Sequence, residues 1–435
     1  MRSRSSEGIR CWYTPLVRLQ LASPAEHPDL GLLPFGTDLS DWSLPSIHEV
    51  SGLHRHVVRL VELGEGHRRR SYVVKELPDH LVLREYRLLR SLDDDDLPTV
   101  DVVAAVTERT GDRDGLLVTR HLDYSLPYRS LLSGRGLRIP YLGENLLDAL
   151  VGLLVRLHLA GFFWGDCSLS NTLFRRDAGA LSAFVIDVET SERYPSLTDG
   201  QRKMDLDIAT ENVAGGLLDL QIGGRLVEDV DPWEVATNIE DRYASLWVEL
   251  TEGQEFQLDE LWRVEKRIER LHDLGFDVAE MDVIADEEGQ RLSVTPRVVE
   301  SGYHEDRLAS LTGLVAAENQ ARRLLNDIRA FGTELRESSG KSLPENIVAV
   351  RWLDQRFEPT IAKIPQEQVG KLQAAEIYHQ VLEHRWYLSE REGRDVTIEE
   401  AVDAYSTEIL SGAPDEQVRL DHTMELPIIP PSPSV

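Results

Sequence analysis

The run His158-Leu-Ala-Gly-Phe-Phe-Trp-Gly-Asp166-Cys-Ser-Leu-Ser-Asn171, followed by the apolar stretch Ala183-Phe-Val-Ile-Asp187, constrains this chain more than any other feature. An Asp, an Asn five residues later and a second Asp closing a buried strand is the spacing that holds a phosphoacceptor and magnesium together in phosphoryl transfer. A carboxylate at Asp166 can accept or orient the proton of an acceptor hydroxyl. Asn171 offers a neutral carbonyl oxygen and Asp187 a hard anionic one to Mg²⁺ that bridges nucleotide phosphates. An isolated Asp-x-x-x-x-Asn arises easily by chance, and an Asp after a strand often only caps a loop. The weight therefore rests on the order of the surrounding elements.

That order is readable. Leu146 to Leu157 is apolar nearly all round, which predicts a buried helix with Gly161 as its C-terminal stop. A loop carrying Asp166 leaves this rigid element. Thr172 to Phe174 and Leu181 to Ile186 read as two strands joined by Arg-Arg-Asp-Ala-Gly-Ala, a hairpin whose open end would bring Asn171 and Asp187 together.

A second signal lies upstream. Arg70 to Leu77 alternates like a half-buried strand, with Lys75 on the face of Val73 and Leu77. Pro78 and Asp79 open a helix through Leu92, since Pro suits the first helical position and Asp the positive helix end. On it Leu81, Glu85, Leu88 and Leu92 share one face, so Glu85 is an acid in an apolar stripe. A buried carboxylate is costly unless paired, and Lys75 is the natural partner. The pair would fix Lys75 for nucleotide phosphates; a surface salt bridge with Glu85 at the helix margin is the alternative.

The longer words Arg55-His-Val-Val-Arg59, Lys75-Glu-Leu-Pro78, Arg84-Glu-Tyr-Arg-Leu-Leu89, Tyr124-Ser-Leu-Pro-Tyr-Arg129, Leu157 through Asn171, Leu271-His-Asp-Leu-Gly-Phe-Asp277, Asn319 through Asp327 and His384-Arg-Trp-Tyr-Leu-Ser389 carry a resemblance over residues 34 to 412. The chain resembles the actinobacterial lipopolysaccharide-kinase-like (Kdo/WaaP-like) family, in which a kinase-like domain precedes a C-terminal domain of unknown function. The resemblance implies an α+β, protein-kinase-like bilobal fold followed by a mainly helical C-terminal domain. It implies ATP and Mg²⁺ as cofactors, Asp166 as catalytic base, Asn171 and Asp187 as metal ligands, and Lys75 as the phosphate-binding lysine with Glu85 as its partner.

Departures from a kinase pattern bear on function. No Gly-x-Gly-x-x-Gly precedes Lys75; Gly64-Glu-Gly66 reads as the turn between a strand from His56 to Leu63 and the Lys75 strand. Trp164 stands where kinase-like enzymes often carry His or Arg. Glu189 is either a further metal oxygen or a solvent-facing acid. Asp205-Leu-Asp207 begins a helix, and Asp205 either holds the catalytic loop through its backbone amides or is a plain helix N-terminal acid. The short segment between Asp187 and Asp205 lacks Ala-Pro-Glu, which leans toward a small-molecule, sugar or lipid acceptor rather than a protein.

Composition narrows the partners. With 76 acidic against 47 basic residues the net charge is −29, which opposes nucleic acid and anionic membrane. Two cysteines, Cys11 and Cys167, suit a reducing cytoplasm, and Cys167 reads as a packing residue or an oxidation-sensitive one. No signal peptide or membrane span is expected. His54, His56, His379 and His384 read as structural rather than zinc ligands.

The expected organisation is a partly ordered segment to residue 33, an N-lobe over 34–123, a C-lobe over 124–230, a C-terminal domain over 231–412 and a flexible tail over 413–435. In that domain Asp231 to Gly275 reads as mostly helical, with Leu246, Trp247, Leu250, Leu261, Trp262, Ile268 and Leu271 on apolar faces. Strand, turn and strand follow over 281–296, and Ala316 to Phe331 forms a helix. Its Asn319, Gln320, Arg322, Arg323, Asn326 and Asp327 form a solvated face, a domain contact or an anion site. Two more helices over 366–392 and 397–410 meet at Gly393, with Trp386 and Tyr387 as packing anchors. Two functions are compatible with the chain: an ATP- and Mg²⁺-dependent phosphotransferase acting on a small-molecule or glycan hydroxyl, and a nucleotide-binding pseudokinase scaffold whose C-terminal domain engages a protein partner.

Overall fold

The computed structural model describes residues 17–43, 46–49, 56–65, 69–132, 142–226, 230–252, 254–257, 261–273, 278–285, 291–298, 302–341, 343–413 and 415–416. The chain divides into two compact units, one within Met1–Arg90 and Asp101–His121, the other within Ser91–Val100 and Leu122–Arg419. The Gly66 part of the turn, His54, Cys11, the words' ends Arg55 and 274–277, and the expected tail beyond 416 lie outside the described residues.

In the first unit, β1 (Arg18–Leu21), β2 (Ile47–Glu49), β3 (Val58–Leu63), β4 (Arg70–Leu77), β5 (Val102–Thr107) and β6 (Gly115–Arg120) form an antiparallel sheet in the order β1-β5-β6-β4-β3-β2. Helix α1 (Asp79–Asp93) joins β4 to β5. Alternation in β4 sends Tyr72 and Val74 into a core with Val61, Val103, Val106, Leu116 and Val118. Leu30, Leu33, Leu39 and Trp42 complete that core, so the segment around residue 33 is part of the packed unit. Arg109 pins it there: the buried guanidinium donates to the Phe35 carbonyl at 2.8 Å and to Glu76 at 2.6 Å. Leu63 pairs with Arg70, so Gly64, at φ +82°, lies in the β3–β4 connection as expected.

The second unit opens with β7 (Ser125–Pro127), α2 (Tyr128–Leu132) and α3 (Leu142–Leu159). α3 buries Leu146, Leu150, Leu153, Leu154 and Leu157. Each buried aliphatic side chain contributes about 1.5–3 kcal/mol, enough to make α3 the rigid post from which the next loop departs. Gly161 ends the turn after it at φ +76°, where a Cβ would stand 2.2 Å from the Tyr194 carbonyl. Next come β8 (Phe162–Phe163), β9 (Thr172–Asp177), β10 (Ala180–Val185), β11 (Glu192–Arg193) and α4 (Asp199–Ile222). The hairpin differs from expectation in its turn. Ala178 (φ +53°) and Gly179 (φ +91°) alone make a two-residue connection, and Asp177 already pairs with Ala180. Two positive φ values match the twist of the flanking strands, so the ladder runs closer to the tip than composition suggests.

The rest of the unit comprises α5 (Pro232–Thr251), β12 (Gln254–Gln257), α6 (Leu261–Asp273), β13 (Val278–Ala285), β14 (Arg291–Val298), α7 (Tyr303–Thr312), α8 (Glu318–Ser339), α9 (Glu345–Trp352), α10 (Glu358–Ile361), α11 (Ala374–Glu392) and α12 (Ile398–Glu408). The described architecture is thus α+β, rich in sheet at its start and mainly helical at its end. Three expectations need correction. β12 interrupts the helical stretch over 231–275, because Gln254–Gln257 finds a partner in β14. α11 begins at Ala374 rather than 366. Trp386 and Tyr387 are not packing anchors: they are 65% and 55% exposed, since α11 turns Ile377, Val381, His384 and Leu388 inward, and Trp262 is likewise 62% exposed.

The polar start of α8 is a contact, not a solvated face. Ala317 has no side-chain acceptor for the helix N-terminus, and Asp177 at the hairpin tip supplies one, accepting the backbone N–H groups of Asn319 at 3.1 Å and Gln320 at 2.8 Å. The Gln320 amide donates to the Arg176 carbonyl and to Glu376, which also accepts the Ala178 N–H. Asn319 and Gln320 are buried, while Arg323 and Asn326 are exposed.

Candidate active site

In the first unit, Lys75 and Glu85 meet. The Lys75 ammonium lies 3.2 Å from both Glu85 oxygens. Glu85 is 1% exposed among Val82, Tyr86, Leu89 and Leu92, so it sits inside the apolar stripe and not at its margin. Leu81 and Leu88 are only half-buried, which rotates the buried face slightly from the one the spacing predicts.

In the second unit, the loop after β8 carries Asp166. Asp205 holds its backbone, and His158, Tyr243 and the Trp164 indole brace that arrangement. Asp205 is fully buried in the interior of α4, not at its start, because the Thr198–Gln201 capping box begins the helix at Asp199. Its carboxylate accepts the backbone N–H of Trp164 at 2.7 Å and of Gly165 at 2.9 Å, the loop-holding role. His158 Nε2 lies 3.1 Å from the same carboxylate, and its Nδ1 lies 2.7 Å from the Tyr243 hydroxyl on α5. In the tautomer with Nε2–H donating to Asp205, Nδ1 accepts from the Tyr243 hydroxyl. Burial pushes the Tyr243 phenol upward, which keeps it a donor. Trp164 is buried and its indole N–H donates to the Asp187 carbonyl at 3.0 Å, tying the first loop to the second. Trp164 thus serves as a packing and anchoring contact.

The Asp166 carboxylate is gripped at both oxygens. Asn171 Nδ2 donates to Oδ2 at 2.9 Å and to the Asp166 carbonyl at 3.1 Å; Asn212 Nδ2, from α4, donates to Oδ1 at 3.0 Å and to the Cys167 carbonyl at 3.1 Å. Burial raises the Asp166 pKa, the two amide hydrogen bonds oppose that rise, and the nearby carboxylates of Asp187 and Glu189 add to it. Cys167 is fully buried and its thiol is pushed well above the ordinary range, so it packs and does not react.

Asn171 enters β9 and Asp187 follows β10, and the Ile186 N–H donates to the Asn171 carbonyl at 3.2 Å, which closes the open end of the hairpin. Asp187 Oδ1 accepts the Glu189 N–H at 3.0 Å. The segment that follows folds straight back: β11 pairs with β8, and Thr190 and Ser191 hydroxyls both donate to the Trp164 carbonyl.

Among the described residues no group of three or more His, Cys, Asp or Glu side chains is arranged to hold a metal by itself. The available donors are of another kind. Asn171, with its Nδ2 turned to Asp166, leaves Oδ1 for a cation, and Asp187 adds carboxylate oxygen. Two protein oxygens completed by phosphate and water are the set a hard, six-coordinate cation such as Mg²⁺ uses, and the mutual repulsion of Asp166, Asp187 and Glu189 favours a cation beside them.

Asn212 is the member of this site that sequence reading missed. Its signal was the spacing from Asp205: seven residues along a helix return to the same face, with the small, fully buried Ala209 between.

Residues 49–210 match the model of the lipopolysaccharide kinase (Kdo/WaaP) family, and residues 245–410 match a domain of unknown function, DUF4032. Among solved structures the chain is similar to "WaaP in complex with acyl carrier protein", at 18% identity and a TM-score of 0.36, over 59% of this chain and 99% of that one. No curated protein matches the chain. The kinase-like family match agrees with the α+β order of elements in residues 49–210.

Proposed function

We propose that this protein is an ATP- and Mg²⁺-dependent phosphotransferase that acts on an alcohol group of a small molecule, a sugar or a lipid-linked acceptor in the cytoplasm. The observation that carries the reading is the double amide grip on Asp166 in a loop whose backbone Asp205 holds. In this reading Asp166 accepts the proton of the acceptor hydroxyl as its oxygen bonds to the γ-phosphorus and the bond to the β–γ bridging oxygen breaks, releasing ADP. Asn171 and Asp187 hold the cation through their oxygens, and Lys75, fixed by Glu85, contacts nucleotide phosphate. Bound Mg²⁺ neutralises charge on the phosphates. The short return of residues 188–198, whose Thr190 and Ser191 donate to the Trp164 carbonyl, supports this acceptor class, since it leaves little chain to dock a polypeptide. Residues 34–230 form the kinase-like part of this proposal, and 231–412 an appended domain available to a protein partner.

The test is turnover of γ-labelled ATP with Mg²⁺, tracing label to water, protein and added metabolite fractions, with Asp166→Asn beside wild type. Loss of a general base lowers the rate by about 10²–10⁴-fold. The absence of a glycine-rich loop favours the second reading, a nucleotide-binding pseudokinase scaffold. ATP binding without transfer in the wild type establishes that reading and removes the first.

A further inference from the structure

The Asp166 side chain can rotate about two bonds, and a base that must meet a hydroxyl at hydrogen-bond distance works only in one rotamer. Asn171 restrains one oxygen, but Asn171 is also the proposed cation ligand and lies on the same loop, so it moves when the loop moves. Asn212 is different in origin. It projects from the middle of α4, a 24-residue helix whose Val213, Ala214, Leu217 and Leu220 are buried. The same helix holds the Trp164 and Gly165 amides through Asp205. One rigid face therefore sets both the backbone before Asp166 and, through Asn212, its carboxylate and the carbonyl immediately after it.

We propose that Asn212 is a positioning residue for the phosphotransfer proposed above: its single Nδ2 group, bridging Asp166 Oδ1 and the Cys167 carbonyl, sets the rotamer of Asp166 against α4. The inference rests on that reading of Asp166. Only an amide suits the place. Both partners are acceptors, at 3.0 and 3.1 Å, so the group between them must bring two N–H donors and no charge that would compete with a cation for the carboxylate. Asp at this position would set a third acceptor against two, and Leu would leave both unpaired. A misplacement on the order of 1 Å in a reacting group can lower a rate about 10²-fold while substrate binding persists.

The experiment is release of phosphate from Mg²⁺-ATP, with water as the acceptor, by the full chain as wild type, Asp166→Asn, Asn212→Leu and the near-isosteric Asn212→Asp. For each, kcat, KM for Mg²⁺-ATP and the melting temperature are recorded. The expected result is a fall in kcat of about 10–100-fold in both Asn212 variants, with KM within about twofold of wild type; the clash of acceptors lowers the melting temperature of Asn212→Asp, so KM is the readout that separates positioning from loss of structure. If Asn212→Leu fails to fold, Asn212→Asp carries the decision. Wild-type kcat in the folded variants overturns the inference while leaving the role of Asp166 intact. A fall in kcat matched by lower melting temperature and raised KM in both variants assigns Asn212 a purely structural role and also overturns it. A wild type that releases no phosphate, or an Asp166→Asn variant as active as wild type, overturns the reading of Asp166 itself and the inference with it.

Discussion

At the scale of single residues, each unit carries charges or amides that would be unstable alone. Glu85 is buried, and its ionised form is tolerable because the Lys75 ammonium lies 3.2 Å away. Removing one member of a buried pair costs about 3–5 kcal/mol, whereas replacing both by apolar groups is often close to neutral. Glu85→Ala is accordingly expected to lower stability by about 3 kcal/mol, and Lys75→Met with Glu85→Leu to recover most of it without recovering turnover. Urea midpoints read the first quantity and ATP turnover the second; a loss below about 0.5 kcal/mol for Glu85→Ala would mean a solvated pair. The pairing was legible in sequence because both partners lie on adjacent elements with clear periodicity. Asn212 was not, because one polar residue in a helix carries no mark of which loop it faces.

At the scale of elements, the hairpin β9–β10 acts at both ends. Its open end holds Asn171 and Asp187, and its tip caps α8 through Asp177. An N-cap is worth about 0.5–2 kcal/mol, and this one is fully buried, so Asp177→Ala is expected at the upper end, about 2 kcal/mol. Hydrogen exchange offers the local check: the amides of Asn319 and Gln320 should lose protection before those of Leu324 and Leu325. Unchanged protection would show that α8 does not depend on the hairpin. β4 was legible from alternation, β9 and β10 from two short runs around a turn-rich connection, and α3 from its nearly continuous apolar surface, whereas α4 begins at Asp199, before the Asp205 start that its acids suggested. Element ends were less so: the two-residue turn, the start of α11 and strand β12 each depend on a partner that local pattern does not name.

At the scale of the molecule, acids from distant parts of the second unit converge. Burial, helped by the carboxylates of Glu318 and Asp177, pushes Glu305 on α7 up to about 8, against the opposing pull of Arg175 and Arg156. A carboxyl raised on folding contributes stability that is full below its ordinary value of 4.5 and is lost as pH rises toward about 8. Glu305→Gln is expected to flatten that loss, so that wild-type and variant urea midpoints diverge across this window. Parallel profiles would mean that Glu305 stays ionised in the folded chain. No helix among the described residues is long and apolar enough to cross a membrane. By itself the sequence determined the local structure around the residues of the proposed function, because Asp166, Asn171, Asp187, Lys75 and Glu85 sit in short segments whose periodicity and turn residues declare that structure. Only the tertiary structure decided what holds the Asp166 loop and the tip of the hairpin that carries Asn171 and Asp187. Hydrogen bonds act over about 3 Å, and the bonds from Asp205, Tyr243, Asn212 and Asp177 join residues 41, 85, 46 and 142 positions apart, a distance along the chain that no local pattern encodes.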